Sequence, residues 1–452
     1  MDSIHVFKCL GIYILLDVNN GSVHQVDELV YEIISKFKKM TNEQIILELQ
    51  NRFPIDDIVE AITEIEELEH SNALFSQPDL SLIRNEITVS KPVIKAMCLH
   101  IAHDCNLRCE YCFASTGNFH STRMLMDEKT GMRAIDFLIA HSGNRTNLEI
   151  DFFGGEPLMN FNVIKSIVAY GRSLEKLNNK IFKFTLTTNG LLLNDEIDRF
   201  LNEEIANVVI SIDGRAEIHD RLRKTITQKG SFDMIYPKAI ALVNARKQKN
   251  YYIRGTFTRY NFDFSNDVIE LAKLGFEQIS LEPVVANIEE PYSIRTEDLD
   301  TICNEYEKLA LLYIKERKEG TWFSFFHFMI DLKNGPCIIK RLTGCGSGNE
   351  YIAVTPEGDI YPCHQFVGKN EFLMGNVANK NVSEIIQKSF KSNHVLNKTI
   401  CMDCWAKFYC SGGCPANAYN FNHDISLPYK IGCELEKKRL ECAIAIYIIE
   451  KT

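Results

Sequence analysis

The sequence contains no Lys/Arg-rich run, no low-complexity tract and no internal repeat of solenoid length. With 50 Lys and Arg against 60 Asp and Glu, and a net charge of -10, it also lacks the basic stripe that tracks a phosphate backbone, so no nucleic-acid partner is expected. Long hydrophobic runs are missing too. The apolar start, "MDSIHVFKCLGIYILLDVNNG", is interrupted by Asp17, and no small-residue cleavage site follows it. The expectation is a strand at that point, in a cytoplasmic protein with no membrane partner. At 452 residues, 45% hydrophobic and 24% charged, the chain has the material for roughly two to three domains with a sizeable core.

Cysteine is what the chain has in excess, with fifteen. Cytosolic thiols stay reduced, so metal binding is a better explanation than a disulfide framework. Most fall into two patterned groups, Cys105/109/112 and Cys345/363/401/404/410/414/433. Cys9, Cys98, Cys303 and Cys442 are scattered and read as ordinary small apolar side chains.

From residue 94 onward, strand-like and helix-like stretches alternate. "KAMCLHIA", "NLEIDFFGG", "KFTLTTNG", "NVVISIDG", "YYIRGTFTRY" and "QISLEPVV" are the strand candidates, and "DEKTGMRAIDFLIAHSG" and "FNVIKSIVAYGRSLEKL" are two of the helical patterns between them. Six such units predict an α/β fold, a partial (β/α)6 barrel over 94–295 whose working loops lie at the strand C-termini. Residues 1–80 predict a separate small domain: a hairpin carrying an Asn-Gly turn, then three helices, a winged-helix-like order. The stretch 296–335 is expected to be a helical bridge, and 336–452 a loop-rich domain holding the second cysteine group.

"CNLRCEYC", Cys105 to Cys112, follows the first barrel strand. Structural zinc needs four protein ligands, and His103 is the one close candidate for a fourth. Three thiolates on a four-iron cube instead leave one iron without a protein ligand. The motif resembles the CxxxCxxC of radical S-adenosylmethionine (SAM) enzymes. That resemblance implies a [4Fe-4S] cluster whose open iron chelates the amino and carboxylate groups of SAM, yielding a 5'-deoxyadenosyl radical on reduction. It also implies SAM contacts at later strand ends. Gly154, Gly155 and Glu156 of "GGEP" resemble the methionine-amino motif, with Glu156 accepting from an ammonium group. Asn189, Ser211 and Arg254 are further candidates, Arg254 for the SAM carboxylate; Asp213 reads as structural.

The second group, "GCGSGNEYIAVTPEGDIYPC" followed by "CMDCWAKFYCSGGC" and "IGC", resembles the SPASM domain, which implies two auxiliary [4Fe-4S] clusters and so three in all. In that family's interleaved pattern Cys401, Cys404, Cys410 and Cys433 bind the distal cluster, and Cys345, Cys363 and Cys414 the proximal one. Two cubes take eight ligands and the motif supplies seven. Either Cys337 is the eighth, or a substrate thiolate takes the vacant iron. One or two zinc ribbons are the alternative.

Over nearly its whole length the chain resembles maturases of six-cysteine peptides, the SCIFF or ranthipeptide type, through "LDVNNGSVHQVDE", "HDCNLRCEYCFA" and "GPCIIKRLTGCGSGNEYIAVTPEGDIYPCHQFVG". This implies sulfur-to-carbon thioether formation in a precursor peptide with a leader and a Cys-rich core, and an external electron donor. The first 80 residues then resemble the element that adds a leader peptide as a strand at a sheet edge. The acidic helix "DDIVEAITEIEELE" speaks against a DNA-binding winged helix. Two other readings stand: a sulfatase-type maturase making formylglycine, which needs a general base that no residue here identifies, since Asp104 and His364 can be nominated but read as loop or supporting residues, and a non-enzymatic iron-sulfur redox sensor.

Overall fold

The computed structural model describes residues 3–77, 80, 81, 83, 87, 92–332, 341–379 and 381–451. At the amino end, β1 (Ile4–Cys9), β2 (Ile12–Asp17) and β3 (Val23–Val26) form an antiparallel meander. Leu10 and Gly11, both at positive φ, make the two-residue turn between β1 and β2, a geometry that matches strand twist. The predicted Asn-Gly turn joins β2 to β3 instead. There Asp17, which breaks the apolar run in the sequence, is fully buried and accepts the backbone N–H groups of Asn19 and Asn20 and the Ser76 hydroxyl. Helices α1 (Glu28–Lys36), α2 (Asn42–Leu49) and α3 (Ile55–His70) follow. Asp27 caps the first, and Thr41 with Gln44 forms a capping box on the second. Ile33, Ile45, Ile58 and Ile62 close a small core beneath them.

The barrel strands are β4 (Ala96–His103), β7 (Asn147–Gly154), β8 (Ile181–Thr188), β9 (Ile205–Ser211), β11 (Tyr251–Phe257) and β12 (Gln278–Pro283). They run parallel in the spatial order β12-β11-β9-β8-β7-β4. Along β8, Phe182, Phe184 and Leu186 are buried in the main core, while Thr185 and Thr187 alternate with them on the other face. Three short strands stand outside this series: β5 (Leu107–Cys109), β6 (Met124–Leu125) and β10 (Arg223–Thr225). β5 and β10 form their own antiparallel ribbon, and β6 pairs with β4.

Beyond residue 295 the structure departs from a simple helical bridge. The helix Leu299–Lys318 is followed by β13 (Ser324–Phe325), which pairs with β12 and extends the sheet at that edge. At the opposite edge β14 (Tyr351–Val354) pairs parallel with β4, and β15 (Asp359–Tyr361) and β16 (Gly375–Asn376) continue antiparallel. The cysteine-rich segment is thus joined to the barrel through backbone pairing. It ends in the helix Lys430–Ile449. Among the described residues no helix is long and apolar enough to cross a membrane.

Candidate active site

The loop after β4 rests on the turn after β7. A Cβ on Gly154 would stand 2.2 Å from the Ala102 carbonyl oxygen, and one on Gly155 2.1 Å from that of Asp104, so the contact requires glycine at both. Through it Gly155 N–H donates to Ala102 O at 2.7 Å and Glu156 N–H to Asp104 O at 2.8 Å. The resulting cavity, about 150 Å³, is lined by Cys105, Cys109 and Cys112, with Gly154 and Gly155 on one wall and Asn189, Ser211 and Arg223 on others. It lies at the C-terminal ends of β4, β7, β8 and β9, where a parallel sheet presents its loops.

None of the three thiols is in a disulfide, and burial pushes Cys105 up to about 12 and Cys109 up to about 11. Their ionisation calls for a cationic, soft partner held among them, a donor set suited to an iron-sulfur cube. Among the described residues no group of three His, Cys, Asp or Glu side chains is gathered tightly enough for a single metal ion. The sulfurs here instead surround a cavity.

Glu156 is held by hydrogen bonds inside the protein. Its carboxylate is fully buried, Oε1 accepting from Leu158 N–H and the Thr188 hydroxyl and Oε2 from Asn189 N–H. The side chain therefore ties β7 to the end of β8, while the backbone of Gly154 and Gly155 forms the wall. Asn189 faces the cysteine loop, its Nδ2 donating to Asn106 Oδ1 at 2.7 Å and lying 3.7 Å from Cys105 Sγ. Arg254 is not among the residues lining this cavity. It is half exposed with Nη2 3.7 Å from Glu282 Oε1, and the arginine that lines the cavity is Arg223. Sequence reasoning missed Arg223, which is held by the Asp213 read as structural, Nε to Oδ1 at 3.0 Å.

In the second group, Cys401, Cys404, Cys410 and Cys433 line one cavity of about 530 Å³. Burial pushes Cys401 up to about 11 and Cys410 up to about 12, each raised further by Cys433. Burial pushes the Cys363 thiol well up, and Cys414 and Cys345 raise it further. Lys398, buried, donates to Gly412 O at 3.0 Å and senses Cys401, Cys410, Cys414 and Cys433. Four soft donors about one cavity are a set suited to an iron-sulfur cube. Cys337 lies outside the described residues.

His364, next to Cys363, packs on Phe113 and Phe153, centroids 5.6 and 5.1 Å away, and both phenylalanines line the three-cysteine cavity. The two cysteine regions thus share an aromatic wall. Asp104 sits in the cysteine loop, accepting Cys105 N–H and pairing with Arg123.

Comparison with known proteins gives two matching family models: a 4Fe-4S single cluster domain over residues 95–234, and the SPASM iron-sulfur cluster-binding domain over 345–405. Among curated proteins, a cysteine-type anaerobic sulfatase-maturating enzyme of Clostridium novyi is 27% identical over 70% of this chain and 86% of its own. The radical SAM cyclopropyl synthase TigE of Paramaledivibacter caminithermalis is 24% identical over 92% of this chain and 89% of its own. Among solved structures, Streptococcus suis SuiB bound to S-adenosylmethionine superposes with a TM-score of 0.54 at 16% identity, covering 96% of this chain and 99% of SuiB. SuiB bound to precursor peptide SuiA superposes with 0.52 at 15%, with the same coverage. These likenesses show the fold.

Proposed function

We propose, on the premise of the radical SAM/SPASM family that these matches support, that this chain is a peptide maturase installing sulfur-to-carbon thioether crosslinks in a leader-bearing, cysteine-rich precursor. The observation that carries the reading is the position of the open-edged sheet. β1 packs against the C-terminal helix Lys430–Ile449, and among the described residues β3 pairs on one side alone, with β2, which leaves an edge to take an added strand. The SuiB structure that covers 96% of this chain holds a precursor peptide.

In this reading Cys105, Cys109 and Cys112 hold one [4Fe-4S] cluster, Cys345, Cys363 and Cys414 the proximal auxiliary cluster, and Cys401, Cys404, Cys410 and Cys433 the distal one. The eighth auxiliary ligand is Cys337 or a substrate thiolate. When bound, SAM and the clusters supply a 5'-deoxyadenosyl radical that takes a hydrogen atom from the acceptor carbon, and an outlet for the electron released as cysteine sulfur couples to that carbon. The chain's own part is placement. Gly154 and Gly155 let the cysteine loop close on the end of β7 and form a wall of the cavity, Asn189 and Ser211 offer neutral polar contacts, and Phe113 and Phe153 narrow the chamber on the side of His364.

The test is anaerobic reconstitution with iron and sulfide, then incubation with SAM, a reductant and the cysteine-rich peptide encoded nearest the gene. Crosslinking removes one hydrogen from each coupling partner and leaves those cysteines resistant to alkylation after disulfide reduction. The Clostridium novyi relative favours a second reading, formylglycine formation. Deoxyadenosine with an unchanged cysteine-rich peptide, and an aldehyde in a sulfatase-derived peptide, would establish that one instead.

A further inference from the structure

β5 and β10 form a two-stranded ribbon apart from the main sheet, and in its register Arg223 stands directly opposite Cys109. The two residues are distant in sequence. Cross-strand pairing brings Arg223 Nη1 to 3.9 Å from Cys109 Sγ, within reach of a hydrogen bond to sulfur.

The other edge of the guanidinium is tied down. Arg223 Nε donates to Asp213 Oδ1 at 3.0 Å, and the same oxygen accepts Thr256 N–H at 3.0 Å. Asp213 Oδ2 accepts the Tyr111 hydroxyl at 2.6 Å, and the Tyr111 ring lies 5.6 Å from the guanidinium carbon. Arg223 and Asp213 are both buried, at 9% and 1% exposure. A buried, forked cation held along one edge cannot turn away from the sulfur on its other edge. The pair is neutral as a whole but oriented, with the positive end toward the cysteines.

We propose that Arg223, positioned by Asp213 and Tyr111, is a fixed cation that donates to the Cys109 sulfur and raises the reduction potential of the cluster held by Cys105, Cys109 and Cys112. This rests on the reading above that the three cysteines hold such a cluster. Taking up one electron from the external donor makes the cluster more negative, and a cation with a hydrogen bond at a ligating sulfur favours that state. No proton accompanies the electron at Arg223, because a guanidinium stays charged.

The test is a redox titration of the reconstituted full chain, followed by the electron paramagnetic resonance signal that changes on adding SAM, which identifies the first cluster. Arg223→Met is expected to move its midpoint to a more negative potential, and Arg223→Lys, keeping charge but shortening reach, to give a smaller shift. Arg223→Met leaves Asp213 buried and unpaired, so the double variant Arg223→Met/Asp213→Asn, which removes both charges, supplies an independent measurement. It should show the negative shift as well. An unchanged midpoint in whichever of these variants retains the SAM-responsive signal overturns the proposal. Absence of that signal from the unmodified protein overturns the three-cysteine cluster itself.

Discussion

The imidazole of His5 lies flat on the indole of Trp405, with 3.9 Å between ring centroids and 6° between planes, and its Nε2 meets Glu441 Oε1 at 3.1 Å. The first strand of the chain thereby rests on the residue next to Cys404. Phe7, Cys9, Ile14 and Leu16 join the main core, and Val18 packs with Leu396, Cys401 and Phe408. The amino-terminal domain is part of the scaffold around the distal cysteines.

This packing decides how leader recognition is tested. Deleting residues 1–80 strips Phe7, Ile14 and Leu16 from the core, at about 2 kcal/mol each, and is expected to lower the melting temperature sharply. Removing the leader from the peptide leaves the enzyme intact. Crosslinking of a leader-free core is then expected to fall ~10²-fold or more at low peptide concentration, while deoxyadenosine still forms. Equal crosslinking rates with and without leader would remove the recognition role.

Replacing Cys105, Cys109 and Cys112 together with Ala is expected to abolish deoxyadenosine formation and leave about eight irons per chain. Iron analysis and chromatography read both. Continued SAM cleavage would place the radical chemistry elsewhere.

Changing Cys401 and Cys404 to Ala in the distal cavity should have the opposite profile. About four irons are lost, deoxyadenosine is still made and crosslinked product disappears. Full crosslinking by a chain that has lost those irons would show the distal site to be structural only.

The pH dependence of the metal-free chain should report Glu156. Burial, its largest influence, pushes this carboxyl from 4.5 up to about 7 against three hydrogen bonds that oppose it. The folded state therefore holds the proton more tightly than the unfolded one. That contribution to stability is full below pH 4.5 and is lost as pH rises through 7, a decline on the order of 3 kcal/mol. Asp151, raised to about 6 by burial, acts in the same direction. Denaturant unfolding across this range should show a flatter profile for Glu156→Gln than for the unmodified chain. Parallel profiles would mean that Glu156 is ionised throughout.

Much of the architecture is legible locally. The β8 run "IFKFTLTT" alternates Phe182, Phe184 and Leu186 with Lys183, Thr185 and Thr187, and the observed strand buries the first set and turns the second the other way. The spacing "CNLRCEYC" confines three thiols to one loop, so their lining a common cavity follows from short-range geometry. The Leu10-Gly11 turn was not read from the sequence, where the Asn-Gly pair is the stronger signal. Other features were not. "GGEP" carries no sign that the Glu156 side chain turns inward while the glycines face the cavity, because that depends on N–H groups contributed by the end of β8.

What the sequence determined by itself was the set of parts: strands and helices in alternation, three thiols in one loop, seven more in a patterned tail. Periodicity and ligand spacing act over a few residues, so they survive without knowledge of the fold. What only the tertiary structure decided was which distant parts meet. Arg223 faces Cys109 because β5 and β10 pair in one register, and β14 extends the barrel because it lies beside β4. His5 meets Trp405 because the first strand packs against the last helix. Such meetings depend on the order in which strands and layers close, and no local pattern encodes that order.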